Sequence, residues 1–109
     1  MAAFTRFKLV FFVPPSSVEQ CKSAIFAAGA GRYPAYTECA WTSLGTGQFR
    51  PGDNANPNIG NVGQLEHTEE VRVEILCRGE DVTKKSVEAL KKAHPYEEPS
   101  YDVYRLEDF

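Results

Sequence analysis

Five consecutive apolar residues, Leu9-Val10-Phe11-Phe12-Val13, run straight into Pro14-Pro15, and this string limits the fold more than any other. Aromatic and β-branched side chains suit a strand, while proline can neither donate a ladder hydrogen bond nor continue the ladder. A first strand over residues 5–13 is therefore predicted. Successive side chains of a strand point to opposite faces, so an unbroken apolar run is apolar on both. Such a strand lies centrally in a sheet, or has its second face covered by another subunit; left open, it would aggregate. Lys8 ahead of the run imitates a signal sequence, but the run is too short and the prolines cut it off. No segment approaches the roughly 20 apolar residues that cross a bilayer, so a soluble, cytoplasmic protein without a membrane partner is expected.

Downstream, Ser16-Ser17-Val18-Glu19 has the spacing of a capping box, with Ser16 and Glu19 satisfying each other's backbone amides. It predicts a helix whose inner stripe is Val18, Cys21, Ile25 and Ala28, ending at Gly29-Ala30-Gly31. Residues 36–44 alternate as a second strand around Cys39 and Trp41. Residues 45–67 hold five of the eight glycines, two prolines and all four asparagines. That composition builds no core, and loops beyond about 12–15 residues are usually functional or disordered. A third strand follows, with Val71, Val73, Ile75 and Cys77 alternating against Arg72, Glu74 and Leu76. Gly79-Glu80-Asp81 opens a second helix with Val82, Val87, Leu90 and Ala93 inward, Pro95 ends it, and residues 101–106 form the last strand.

Two β-α-β halves of this kind predict an α+β, ferredoxin-like βαββαβ sandwich: an antiparallel sheet, two helices on one face, and a long β2-β3 loop. At 109 residues and 42% hydrophobic content, one domain over residues 1–109 is expected and a second is excluded. The uncovered sheet face, supplied with apolar groups by residues 9–13 and Trp41, predicts a homo-oligomer, dimer or trimer. The net charge of −3 gives no general attraction to phosphate backbones, so no nucleic-acid partner is expected. Cys21, Cys39 and Cys77 are odd in number and lack any Cys-x-x-Cys pair, which fits reduced thiols rather than a disulfide scaffold or zinc ribbon.

Familiar site patterns fail on their context. Gly29-x-Gly31 follows a helix instead of a strand, and Gly45-x-Gly47 leads into Phe49-Arg50-Pro51 with no helix behind it, so neither is a dinucleotide fingerprint. Asp53-Asn54-Ala55-Asn56 has alanine where a calcium loop needs its next ligand. His67 and His94, with Cys39 and nearby carboxylates, leave a divalent metal open as a cofactor, although no His-x-x-x-His spacing supports one. No serine or cysteine sits in a nucleophile elbow. The most unusual string is His94-Pro95-Tyr96-Glu97-Glu98-Pro99, in which two prolines hold a tyrosine and two carboxylates on a stiff turn. It serves equally as a rigid connection or as part of a binding site.

Gly29-Ala30-Gly31-Arg32-Tyr33, Cys39-Ala40-Trp41, Gly45-Thr46-Gly47-Gln48-Phe49-Arg50-Pro51, Asn56-Pro57-Asn58-Ile59-Gly60 and the His94 string occur together in this order. Over nearly the whole chain they resemble the domain inserted in many Nif-three-like proteins. That insert looks like the CutA and PII trimeric ferredoxin-like proteins, which implies the same fold here. The resemblance also implies that residues 45–67 occupy the place of the long loop through which PII proteins sense ligands and partners. Nif-three-like proteins carry a dinuclear metal site on flanking domains rich in His and acidic ligands. With two histidines, this chain is expected to stand alone without a dinuclear hydrolase site of its own.

The expected function is a standalone oligomeric ligand- or metal-binding, regulatory module, with a small molecule or a protein as partner. Its candidate binding residues are Gly45, Gly47, Phe49, Arg50 and Pro51 of the loop with His94, Tyr96, Glu97 and Glu98 of the turn. Two alternatives remain: a small enzyme using Glu97, Glu98 or His94 as acid or base, and a trans-acting partner of a metal-dependent Nif-three-like hydrolase. A binding module is favoured over an enzyme.

Overall fold

Alternation along the first strand decides the architecture. The structure, a computed structural model, describes residues 4–109. It runs β1 (Arg6–Val13), α1 (Val18–Ala27), β2 (Trp41–Phe49), β3 (Glu66–Arg78), α2 (Glu80–Ala93) and β4 (Tyr101–Arg105). The four strands form one antiparallel sheet in the order β2-β3-β1-β4, with β1 paired on both edges, the central position that its apolar run allowed. Leu9, Phe11 and Val13 of β1 and Val73, Ile75 and Cys77 of β3 form the face against which Val18, Cys21 and Ile25 of α1 and Leu90 of α2 pack. Each fully buried aliphatic or aromatic side chain among them contributes about 1.5–3 kcal/mol relative to exposure. This is the ferredoxin-like βαββαβ sandwich, with both helices on one face.

The helices differ in how they begin. The predicted capping box does not form: Pro14 and Pro15 lead the chain into a 3-10 turn over Pro15–Ser17, and Ser17, at the N-cap of α1, makes no side-chain cap. Glu19 pairs instead with Lys22 at 3.0 Å. Helix α1 ends where predicted, with Gly29 at φ 108°. Gly31, at φ 76°, donates its amide to Leu76 O at 2.8 Å and accepts from Cys39 N at 2.9 Å, which pins the start of β2 beside β3.

Strand β2 lies later than residues 36–44, and the loop is shorter than residues 45–67. Tyr33 and Tyr36 instead exchange backbone hydrogen bonds of 2.8 and 3.1 Å across Pro34-Ala35, a tight turn that precedes the strand. Gly45 and Gly47 lie within the ladder opposite Glu70 and Thr68, and β3 begins at Glu66. The connecting loop is residues 50–65. The ladder between β1 and β3 ends at Val13↔Val71, so the five rungs from Gly45↔Glu70 to Phe49↔Glu66 form a two-stranded ribbon that runs past the body. The molecule measures 53 × 24 × 23 Å along its principal axes, elongated as such a projection requires.

Candidate functional site

Proline chemistry builds one wall of the site. The residue before a proline is pushed out of the helical region, and His94, before Pro95, adopts φ −73° and ψ 137° and ends α2. Its backbone amide still bonds Leu90 O at 2.8 Å, while the Gln20 side chain of α1 donates to Ala93 O at 2.6 Å. The imidazole is 6% exposed. Its Nε2 lies 2.6 Å from Phe12 O at the end of β1, and its Nδ1 accepts the Tyr96 backbone N–H at 3.1 Å. A carbonyl on one side needs a donor and an amide on the other needs an acceptor, so the ring is neutral with its proton on Nε2. Burial lowers its pKa below the ordinary 6.5; the hydrogen bond to Phe12 and the charge of Glu70 act in the opposite direction.

The turn then crosses beneath the ribbon. The Tyr96 ring sits 4.8 Å from that of His94 and 6.4 Å from that of Phe49, centroid to centroid, tilted by 58° and 48°. Its hydroxyl is buried near Glu70 and Thr68 of the ribbon. Burial, followed by the negative charge of Glu70, pushes the phenol up to about 12. Glu97 Oε1 accepts the backbone N–H of Asn56 at 3.1 Å, fastening the long loop to the turn. Ser100 O accepts from Phe12 N at 3.1 Å and returns the chain to the sheet.

The loop closes on itself at its base. Gly63 N donates to Pro51 O at 2.8 Å, and Arg50 Nη1 donates to Gly63 O at 2.9 Å. On the ribbon, the Glu70 carboxylate lies across Gly47; a Cβ there would come within 2.6 Å of Glu70 Cδ. Glycine at 47 is what lets Glu70 fold over the strand.

Ribbon, loop and turn enclose a groove of about 730 Å³. Gly45, Gly47, Phe49, Arg50 and Pro51 line it from the ribbon and loop, and Tyr96, Glu97 and Glu98 from the turn. His94 does not line it: the ring stands behind Tyr96 and holds it in place. Sequence reasoning missed Phe12, Glu70 and Arg72. Phe12 and Arg72 face each other across β1 and β3, with the Arg72 guanidinium 5.8 Å from the Phe12 ring and 3.1 Å from Glu74. The alternation of Arg72 and Glu74 could have been extended back to Glu70, had the strand been started at Glu66, five residues before Val71.

His67 lies 2.9 Å from Gln48 Oε1 on the ribbon, apart from the His94 ring. Among the described residues no group of three or more His, Cys, Asp or Glu side chains is placed to hold a metal ion. No helix among them is long and apolar enough to cross a membrane. On the sheet face away from the helices, Trp41 and Tyr104 are 56% and 50% exposed.

No family model matches the chain. It is 45% identical over 100 residues to a GTP cyclohydrolase 1 type 2 homolog of Halalkalibacterium halodurans, covering 92% of this chain and 27% of that protein. The chain thus spans about a quarter of the length of the curated relatives it matches. Among solved structures, a Bacillus cereus protein related to NIF3 matches 99% of this chain with 27% of its own, at a TM-score of 0.85 and 39% identity. CutA1 from Ehrlichia chaffeensis matches 99% of this chain and 87% of its own at a TM-score of 0.71 and 12% identity. The ATP complex of GlnK from Bacillus subtilis matches 94% and 84% at 0.61 and 14%. The last two share the fold alone. The chain therefore matches about a quarter of a protein related to NIF3 and has the fold of the CutA and PII proteins that its motifs indicated.

Proposed function

We propose that this chain, kin to Nif-three-like proteins through a single domain, is a ligand-binding regulatory module that acts as a homo-oligomer. One observation carries the reading: three segments far apart in sequence, the β2-β3 ribbon, the loop and the turn over residues 95–100, converge on one groove. Its volume of about 730 Å³ falls within the roughly 300–1,000 Å³ typical of small-molecule sites. Its lining combines the rings of Phe12, Phe49 and Tyr96 with charged groups of both signs, Arg50 and Arg72 against Glu70, Glu97 and Glu98, and small-molecule sites likewise set polar groups in an apolar body. Acid–base chemistry is supported less well. The His94 ring has both nitrogens engaged and stands outside the groove, and Glu97 is committed to the Asn56 amide. The exposed Trp41 and Tyr104 on the open sheet face support self-association.

Thermal unfolding against a panel of nucleotides, metabolites and divalent ions tests the binding reading, with ATP at its head because the GlnK neighbour holds it. A ligand at a hundred times its dissociation constant stabilises by about 2.7 kcal/mol. For a domain of this size that raises Tm by roughly 10–20 °C. A panel that shifts nothing at saturation refutes the reading. Light scattering on the eluting protein tests the assembly, and a monomer at high concentration counts against it.

A further inference from the structure

The groove wall is held by a ring whose hydrogen bonds admit only one charge state. His94 Nδ1 accepts the Tyr96 amide, Nε2 faces Phe12 O, and the residue is almost wholly enclosed. A proton added at Nδ1 would set an N–H against the Tyr96 N–H, so that contact must open. Tyr96 is not a bystander. Its ring meets Phe49 of the ribbon, and the next residue, Glu97, holds the loop through Asn56. A displacement of the Tyr96 backbone therefore acts on both places where the turn grips the opposite wall.

The surroundings of the ring make the transition selective. From β1 it meets an uncharged carbonyl, from α1 only the neutral Gln20 amide bonded to neighbouring Ala93, and from the turn a phenol that stays protonated. Among the described residues the charge that bears on it is Glu70 of β3, which favours the protonated ring, while burial disfavours it more strongly. A partly exposed histidine would exchange its proton with little consequence for its neighbours. An enclosed one with both nitrogens committed must move something.

We propose that His94 is a proton-operated latch: neutral, it holds the Tyr96 amide and keeps the turn fastened to the loop, and protonated at Nδ1 it releases both. The groove thereby becomes sensitive to acid, closed with the ring neutral and loosened once the ring takes up its proton. This latch rests on the groove being a binding site for its purpose, but its operation is read without any ligand.

Nuclear magnetic resonance on the full chain, labelled with 15N and 13C, tests it across neutral to mildly acidic pH. The His94 ring is expected to titrate below 6.5, and the Tyr96 and Asn56 amides to shift with the same midpoint. Amides of α1 should stay fixed, which separates release of the latch from unfolding. In H94Q the shared transition should vanish. In E70Q, which removes the charge that favours protonation, the midpoint of ring and amides should fall together; this arm decides the matter if H94Q fails to fold. Amides that ignore the titration of the ring, or that titrate unchanged in H94Q, overturn the proposal. Failure to find a groove ligand leaves these readouts intact, so the two ideas fail separately.

Discussion

Replacing Gly31 by alanine should be strongly destabilising, because it meets two penalties that cannot relieve each other. Gly31 holds φ 76°, a left-handed conformation that costs an L-residue about 1–2 kcal/mol. The new Cβ would also stand 2.7 Å from Phe26 Cε1 and 2.9 Å from the backbone oxygen of Cys39. The phenyl ring could turn, but the carbonyl is backbone of the same residue whose amide bonds Gly31 O and seats β2, and overpacking of this kind costs about 1–3 kcal/mol. The two effects together predict a loss of about 2–5 kcal/mol. Gly29 is the internal comparison. It too has positive φ, but a Cβ there would meet Val82 at an ordinary 3.6 Å, so Gly29→Ala should lose only the conformational part. Gly52, with open space around it and no positive φ, should be unchanged or gain up to about 1 kcal/mol from a stiffer unfolded chain. Urea unfolding with a common m-value measures all three. If Gly31→Ala is no worse than Gly29→Ala, the close approach to the Cys39 carbonyl is not what fixes the start of β2.

The lowered pKa of His94 means that the unfolded chain binds its proton more readily than the fold does. The His94 contribution to stability is therefore complete above pH 6.5 and declines as pH falls from 6.5 toward the folded value; urea midpoints along a pH series should show this slope in the native chain and not in His94→Gln. Burial pushes the Cys21 thiol up to about 11 and raises that of Cys77 as well, so a thiol reagent at neutral pH should label the half-exposed Cys39 first, and equal rates for all three would contradict the packing. Glu70→Gln removes a charge that adds to burial at Tyr96, so the phenol should titrate below about 12; an unchanged Tyr96 signal, assigned by comparison with Tyr96→Phe, would show that Glu70 does not bear on it.

Where a residue's neighbours in sequence determine its surroundings, its place could be read in advance. The two-sided apolar string of β1 allowed a central strand or one covered by another subunit, and the strand is central, between β3 and β4. The alternation from Val71 to Cys77 identified the core face of β3, and the prolines of the His94 string announced a rigid turn. Reading failed where pairing overrode local preference. Gly45 and Gly47 looked like loop because glycine weakens a strand, yet both lie in the ladder, one of them beneath the Glu70 side chain. Truncating β3 at Val71 hid Glu70 from the groove. His94 was named with the binding residues of the turn, but the ring stands behind Tyr96, bonded to Phe12 82 positions away, and no spacing within the turn reveals that. Ser16 and Glu19 had capping-box spacing and were overruled by the prolines before them.

Among the described residues, the ribbon beyond Val13↔Val71 has no third strand beside it. A two-stranded ribbon twists more freely than a sheet and is marginal on its own, so its inclination to the body is a soft coordinate, held at its far end by the Tyr96 ring and the Glu97 carboxylate. Whatever fills the groove would wedge against this spring and set its angle. Occupancy should then be legible far from the ligand, as slowed exchange of the amides from Gly45 to Phe49, and any partner that grips the loop would sense the contents of the groove as a change in tilt.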